Sequence, residues 1–354
     1  MAAVHVVVPD GIDDPSRPSG GNAYDRRILR GLAALGWSVQ ERPVPGSWPR
    51  PDAAAYAALT DVVAGVPDGA VVLVDGLIAS SVPEVLVPVV ERLRLVVLVH
   101  MPLGDGPDDT GADTRARERA VLSSAVAVVT TSGWTRRRLL DLYELRPHQV
   151  HVATPGVDVA DLAPGSATGG ELLCVAAVTQ HKGHDVLLAA LATLTDLSWR
   201  CVCVGALDRE PDFVDALDRH ARKGGMSDRV RFTGPLAGDD LDAAYAAADL
   251  LVLPSRAETY GMVVIEALAH GLPVVATAVG GVPEALGRGQ DGSQPGLLVP
   301  PGDSAALAAA LRGWLGDHGL RRRLRQTALE RRATLPGWPA ASARLSRVLA
   351  EAAA

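Results

Sequence analysis

Two glutamates stand eight positions apart where an apolar run gives way to a helical segment, in LLVLPSRAETYGMVVIE at 250–266. Glu258 lies in the connecting loop, and Glu266 lies in the helix that Gly261 opens. The free N–H groups and the dipole of a helix N-terminus favour an anion. A carboxylate on either side would repel that anion unless each carboxylate is aimed at hydroxyl groups. The pattern therefore indicates a phosphate flanked by sugars.

Lys182 is one of only two lysines in the chain, and it follows an apolar run and precedes Gly183 and a helical segment. A point positive charge at such a strand end neutralises a phosphate as the bond to it breaks. We interpret Lys182 as this counter-charge. The alternative is an ordinary surface lysine.

Two further positions with chemical potential lie in the first half of the chain. Gly20 and Gly21 precede a helix of apolar 3.6-residue period, so a phosphate can approach the backbone without meeting Cβ atoms. A flexible turn is the alternative reading of this pair. His100 ends the apolar run LVVLV and opens HMPLG. A structural histidine at a strand end is the alternative there.

The elements that must position these residues alternate along the chain. Short β-branched runs are followed by longer Ala/Leu-rich segments of helical period, which is typical of βα units and parallel sheets. The alternation starts again after the Pro/Gly-rich stretch 153–170, which predicts an interdomain linker. We therefore expect an α/β protein with two doubly wound domains, 1–163 and 164–336, and a final helix, 337–354, that crosses back to the first domain. Ligands bind at the carboxyl ends of such strands, which predicts a cleft between the two sheets.

Composition excludes several other classes. The chain has 354 residues, of which 48% are hydrophobic and 21% charged, with a net charge of -7. These values describe a globular protein and disfavour a nucleic-acid partner. No apolar run is long enough to span a bilayer, so we expect a cytoplasmic protein without a transmembrane segment. Three cysteines without CxxC spacing predict reduced core thiols. Oligomeric state is left open.

Two motifs do not carry the function, and a third motif is absent. Asp240 and Asp242 have DxD spacing, but they lie at a predicted helix start, where side chains two apart diverge by about 200°. The run Arg136–Arg138 is interpreted as a solvated helix face. No GxGxxG follows the first strand, which disfavours a nicotinamide enzyme. We therefore expect no metal site and no cofactor.

The E-x7-E motif, Glu258 to Glu266, together with Tyr260-Gly261 resembles the retaining nucleotide-sugar glycosyltransferases of family GT4. The resemblance covers nearly the whole chain through the segments GG at 20–21, TPGVD at 154–158, HKGHDVLLAAL at 181–191, GPL at 234–236 and HGLPVVATAVGGVPE at 270–284. It implies the GT-B fold, in which two Rossmann-like domains face each other across a cleft. The first domain would bind the acceptor and the second the donor.

The resemblance also implies roles for individual residues. Glu258 would bind hydroxyls of the donor sugar, and Glu266 would bind both ribose hydroxyls of the nucleotide. His100 would contact the donor sugar, and Lys182 the diphosphate. The backbone N–H groups that would bind the donor belong to Gly20, Gly21, Gly261, Met262 and Val263. The implied reaction is sugar transfer from a nucleotide diphosphate sugar, UDP- or GDP-linked, with retention and without a metal.

One departure from the family pattern concerns the arginine that often stands five or six residues before the lysine. Here those positions are Ala177 and Ala176. His181 or a residue of the first domain would have to supply the second counter-charge. Two rival functions stay open on the sequence: a nucleotide-sugar epimerase on the same fold, and a non-catalytic nucleotide-sugar-binding protein. The base, the sugar and the acceptor, a small molecule or a glycan, are not fixed by the sequence.

Overall fold

The computed structural model describes residues 2–14, 19–105 and 111–354. Within these ranges the chain forms two compact units. The first comprises 2–14, 19–105, 111–156 and 337–354, and the second comprises Val157–Pro336.

The described part of the first unit contains a six-stranded, all-parallel sheet in the order β2-β1-β3-β4-β5-β6. Its strands are β1 (Ala3–Pro9), β2 (Ser38–Val44), β3 (Val71–Asp75), β4 (Arg94–Val99), β5 (Ala127–Thr130) and β6 (Val150–Val152). Its helices are α1 (Gly20–Ala34), α2 (Ala53–Ala64), α3 (Gly76–Ala79), α4 (Pro83–Leu86), α5 (Gly111–Ser124) and α6 (Gly133–Tyr143), together with the C-terminal α14 (Trp338–Ala353).

The described part of the second unit contains another six-stranded parallel sheet, in the order β12-β11-β10-β7-β8-β9. Its strands are β7 (Glu171–Val175), β8 (Arg200–Val204), β9 (Val230–Gly234), β10 (Leu250–Leu253), β11 (Val274–Thr277) and β12 (Gly296–Val299). Its helices are α7 (His184–Ala192), α8 (Pro211–Lys223), α9 (Asp239–Ala246), α10 (Met262–Ala269), α11 (Val282–Leu286), α12 (Ser304–Gly316) and α13 (His318–Arg332).

Central strands of both sheets are buried along their whole length, as in β3, β10 and β11. Such strands read as continuous apolar runs because helices cover both faces of a parallel sheet. The three cysteines are free thiols buried in the second core. The predicted doubly wound α/β architecture is thereby confirmed.

The boundary between the units lies at Gly156 rather than at residue 163. The segment that follows is tied to the second unit by backbone hydrogen bonds, from Val157 N–H to the Pro336 carbonyl and from Ala163 N–H to the His270 carbonyl. At the other end of the chain, α14 packs in the first unit, where the Trp37 indole donates to Ser346 Oγ at 2.8 Å.

Each strand order reverses direction at one place, beside β1 in the first sheet and beside β7 in the second. The crevice outside the carboxyl ends of the strands at such a switch point is where doubly wound sheets bind ligands. The loops after β1, β3 and β4 therefore hold the candidate residues of the first unit, and those after β7 and β10 hold the candidate residues of the second.

Candidate functional site

The first candidate residues of the second unit are joined by an ion pair at its switch point. Lys182 follows β7 and Glu258 follows β10, and the Lys182 Nζ atom lies 2.6 Å from Glu258 Oε1. Ser255 Oγ donates to the same carboxylate oxygen at 2.9 Å. The two charged side chains are 21% and 13% exposed. A cation and a carboxylate are thus held together where the sheet favours a ligand.

Arg256 links the two loops that carry this ion pair through hydrogen bonds. Its backbone N–H donates to the His181 carbonyl at 2.8 Å. Its guanidinium donates to both carboxylate oxygens of Asp185, at 2.8 and 2.7 Å, and to the Gln180 carbonyl. Bidentate pairing of this kind fixes geometry as well as charge. Sequence reasoning missed Arg256, although its place after Pro254-Ser255 at a strand end was a signal.

Helix α10 begins directly after this loop, at the point where a phosphate is expected. Gly261 precedes it with φ +89°, a left-handed conformation that glycine adopts without strain. Helix geometry leaves the first N–H groups, among them those of Met262 and Val263, without intrahelical partners. Gly280 packs against the backbone of the loop that carries Glu258. A Cβ atom at residue 280 would lie 1.5 Å from the Glu258 carbonyl oxygen.

Glu266 is held by a separate set of contacts on α10. The Tyr245 hydroxyl donates to Glu266 Oε2 at 2.8 Å. The tyrosine ring is buried and stacks on His270, with ring centroids 5.0 Å apart and planes 13° apart. His270 Nδ1 lies 3.0 Å from the Asp161 carbonyl oxygen. Burial raises the pKa of Glu266, and the charges of Asp158 and Asp242 raise it further. The hydrogen bond from Tyr245 lowers this pKa but does not cancel the increase.

His181 is not a suitable replacement for the arginine that is missing at Ala176 and Ala177. Its Nδ1 atom lies 3.1 Å from Thr179 Oγ1. Burial lowers the pKa of His181, and the neighbouring charge of Lys182 lowers it further. The imidazole is therefore neutral near pH 7 and carries no counter-charge there.

In the first unit, the structure brings His100 and Gly21 together. His100 follows β4, and α1 begins at Gly20 after Ser19, whose Oγ atom accepts from the Asn22 N–H at 3.0 Å. A Cβ atom added to Gly21 would lie 3.4 Å from His100 Cδ2. The start of α1 and the His100 ring are therefore in van der Waals range of each other.

Two carboxylates that the sequence analysis missed surround His100. Its Nε2 atom lies 2.8 Å from Asp25 Oδ1 and 3.9 Å from Asp75 Oδ2. Burial alone would lower the pKa of His100, but the hydrogen bond and charge of Asp25 and the charge of Asp75 raise it to about 9. Burial and the charge of Asp25 raise the pKa of Asp75 to about 6. The imidazole is therefore a cation near neutral pH.

Among the described residues, one group of three side chains could ligate a metal ion together: Asp25, Asp75 and His100. Their ligand atoms lie within 4.8 Å of one another. The imidazolium already supplies the positive charge in this group. The rejected DxD motif does not form such a group: Asp242 lies on α9, with Oδ1 3.7 Å from His270 Nε2. Within the described ranges, no helix is both long and apolar enough to cross a membrane.

Comparison with known proteins adds the family context. Residues 169–317 match the family model for glycosyl transferases group 1, and this range contains Lys182, Glu258 and Glu266. D-inositol 3-phosphate glycosyltransferase 1 from Catenulispora acidiphila is 34% identical over 284 residues, which are 74% of this chain and 66% of that relative. A D-inositol 3-phosphate glycosyltransferase from Salinispora arenicola is 34% identical over 300 residues, 76% of this chain and 64% of the relative. The chain thus spans just under two thirds of the length of these relatives.

Solved structures resemble the whole chain at lower identity. Sucrose-phosphate synthase from Thermosynechococcus elongatus has a TM-score of 0.78 and 22% identity, with 99% of each chain covered. Anabaena HepE, solved in complex with UDP and glucose, has a TM-score of 0.78 and 20% identity, with 99% of this chain and 100% of that one covered. At these identities the likeness shows a shared fold.

Proposed function

Because this chain belongs to the GT4-type glycosyltransferases and has the GT-B fold, we propose that it transfers a sugar from a nucleotide diphosphate sugar to an acceptor. The transfer retains the anomeric configuration and uses no metal. The observation that carries this proposal is the Lys182–Glu258 pair beside the N-terminus of α10. It combines a cation and free N–H groups for a diphosphate with a carboxylate for sugar hydroxyls.

The reaction breaks the bond between the anomeric carbon and the diphosphate oxygen, and the electron pair leaves with the phosphate. The acceptor oxygen forms the new bond on the same face, and its proton passes to the departing phosphate oxygen. Negative charge therefore grows on the diphosphate. Lys182 and the first N–H groups of α10 stabilise that charge, which is the kind of preorganised electrostatic contribution that lowers reaction barriers most.

Lys182 keeps its contact with Glu258 when the donor binds. An ammonium group has three donors, so Nζ can serve the carboxylate and a phosphate oxygen at once. Glu258 has a second oxygen for a sugar hydroxyl, because Lys182 and Ser255 both bind Oε1. Glu266 takes the ribose in the same way, with Tyr245 on Oε2 and the other oxygen free for the hydroxyls.

The donor in this proposal is UDP- or GDP-linked, and the acceptor is a soluble small molecule or glycan. The HepE complex contains UDP, which supports a nucleotide sugar donor here. The relatives are named for D-inositol 3-phosphate, a small polar molecule, which supports a soluble acceptor here. The cytoplasmic location expected from the sequence belongs to the same proposal, and cell fractionation tests it.

The test is release of free nucleoside diphosphate from a panel of UDP- and GDP-sugars, with EDTA present and with and without candidate acceptors. The proposal predicts acceptor-dependent release in wild type and a strongly reduced rate in Glu258→Gln. An epimerase would convert the sugar without any acceptor, and a binding protein would bind donor without turnover.

Anomeric coupling in the product's proton NMR spectrum tests retention. Activity that is lost on chelation and restored by magnesium or manganese would contradict metal independence.

A further inference from the structure

The His100 cluster of the first unit, formed by His100, Asp25 and Asp75, contains more buried charge than packing requires. Its two carboxylates are 5% and 6% exposed, and the histidine is 18% exposed. Burying a charge is costly unless it is paired and hydrogen bonded. A buried cluster of this kind is stable only if its charges are paired with one another. Here both carboxylates face the same imidazole nitrogen, His100 Nε2.

The two carboxylates differ in what else they hold. Asp75 has a structural partner, because its Oδ1 accepts from the Leu77 N–H at 2.7 Å and caps α3. Asp25 lies on the buried face of α1 with Ile28 and Leu29, where an apolar residue is the ordinary choice. Its hydrogen bond in the described part of the chain is to His100 Nε2.

Asp25 also has no room for a ligand of its own. The cavity that it lines together with Asp75 has a volume of about 10 Å³ and is otherwise walled by apolar side chains. That volume holds one water molecule at most. Any effect of Asp25 on a substrate must therefore pass through the histidine ring.

We propose that Asp25 is the positioning residue of His100: by holding Nε2 it fixes the ring and leaves Nδ1–H as the single donor that His100 offers to a ligand. The groups that face the ring are Asp25 and Tyr24 from α1 and Asp75 from the end of β3. Tyr24 stays neutral, since burial raises the pKa of its hydroxyl, which donates to the Ala153 carbonyl at 2.8 Å. No described residue forms a hydrogen bond with His100 Nδ1.

This arrangement defines the chemistry of the group that meets His100. An imidazolium donates and cannot accept, so His100 is not the base that takes the acceptor's proton. The cluster carries a net negative charge when both carboxylates are ionised, which disfavours a phosphate at Nδ1. The ligand atom is therefore a neutral hydroxyl oxygen, as in the transferred sugar; this part rests on the proposed function.

The direct test is a histidine titration by NMR on the full chain, with the His100 signal assigned from His100→Gln. In wild type the ring should stay protonated to pH 8, with a pKa near 9. In Asp25→Asn, which keeps the shape but removes the charge, the pKa should fall to about 7 or lower. Asp13→Asn, at an exposed carboxylate of the same unit, is the matched control and should leave His100 unchanged. A wild-type ring that titrates near pH 6.5, or a His100 signal that changes on adding EDTA, would overturn the proposal.

The second arm measures turnover against pH. Wild-type kcat should be flat from pH 6.5 to 8, whereas Asp25→Asn should lose at least tenfold at pH 8 and recover towards pH 6, with nucleotide affinity unchanged. A purely structural role predicts a loss that does not recover at low pH, and that result would count against positioning. If Asp25→Asn does not fold, the wild-type titration decides alone. Absence of any turnover in wild type would refute the proposed function and leave the NMR arm valid.

Discussion

The two units place a cation beside carboxylates at the carboxyl ends of their strands, but they balance the charges differently. In the second unit Lys182 faces one carboxylate, Glu258, whose Oε1 is shared with Ser255. In the first unit His100 faces two, Asp25 and Asp75. The Lys182–Glu258 pair is neutral overall, whereas the His100 cluster carries a surplus negative charge when both of its carboxylates are ionised.

This difference separates the work of the two units. A balanced pair beside a helix N-terminus accepts an additional anion, so the second unit suits a diphosphate whose charge grows during the reaction. A cluster with surplus negative charge repels phosphate and holds its imidazolium, so the first unit suits neutral hydroxyl groups. Under the proposed function, the second unit would stabilise the leaving group and bind a sugar hydroxyl through Glu258, and the His100 cluster would bind a neutral hydroxyl group.

The largest expected effect follows from removing the balanced cation. Lys182→Ala should lower turnover about 10²- to 10³-fold, the scale of losing one preorganised donor to a developing anion. Nucleotide affinity should change far less, and Lys182→Arg should recover part of the rate because the charge is kept. Steady-state kinetics check this. Lys223→Ala, at the other lysine of the chain, is the matched control, and a Lys182→Ala enzyme with more than half of wild-type turnover would place the cation elsewhere.

The His100 cluster should make stability depend on pH. The folded-state pKa of about 9 is raised above the ordinary value, so the contribution is fully present below pH 6.5 and is lost as pH rises through 9. The free energy of unfolding should fall by up to about 3 kcal/mol over that range. Urea unfolding of wild type and His100→Gln measures the difference. Equal slopes for the two proteins would show that His100 is not held as a cation.

The two glutamates should separate binding from turnover. Glu266→Gln should weaken free nucleotide by about 1 to 3 kcal/mol, because charge-assisted hydrogen bonds to ribose are lost. Glu258→Gln should spare nucleotide affinity and depress turnover. Calorimetry with nucleoside diphosphate, followed by kinetics with the donor, distinguishes them. The same loss of nucleotide affinity in both variants would reject the assignment of one glutamate to ribose and the other to sugar.

Most of the candidate site in the second unit could be predicted from the sequence, but little of the candidate site in the first unit could. Lys182, Glu258 and Glu266 stand in local motifs next to strand and helix ends, so their neighbourhood could be expected from nearby residues. Asp25 meets His100 across 75 positions, and Tyr245 meets Glu266 across 21. Such partners depend on how the sheet assembles. A charged residue on the apolar face of α1, and another at the end of VVLV, were the available signals.

The two edge strands of the first sheet were missed, for a physical reason. Strand β2 has the sequence SVQERPV, and among the described strands it pairs with β1 alone. An edge strand exposes one side, so polar residues and a proline are tolerated there and the apolar signal disappears. The short edge strand β6 was missed as well, whereas the apolar runs LVVLV and LLVL lie in the central strands β4 and β10.

The smallest expected effect concerns Tyr245. Tyr245→Phe removes one hydrogen bond to Glu266 and should weaken nucleotide binding by about 0.5 to 1.5 kcal/mol. Because that bond opposes the raised pKa of Glu266, the variant should also lose affinity at a higher pH than wild type as the solution is acidified. Calorimetry at pH 6 and 8 measures both effects. Tyr56→Phe is the matched control, since it removes an equal 2.8 Å bond to Glu84 in the first unit and should change neither.

The most direct test of the proposed donor site is calorimetric titration of the full chain with UDP and with GDP in EDTA, for wild type and Glu266→Gln. We expect one nucleoside diphosphate bound per chain without metal, and an affinity lower by about 1 to 3 kcal/mol in the variant. No binding of either nucleotide by wild type at millimolar concentration, or binding only after a divalent cation is added, would contradict it.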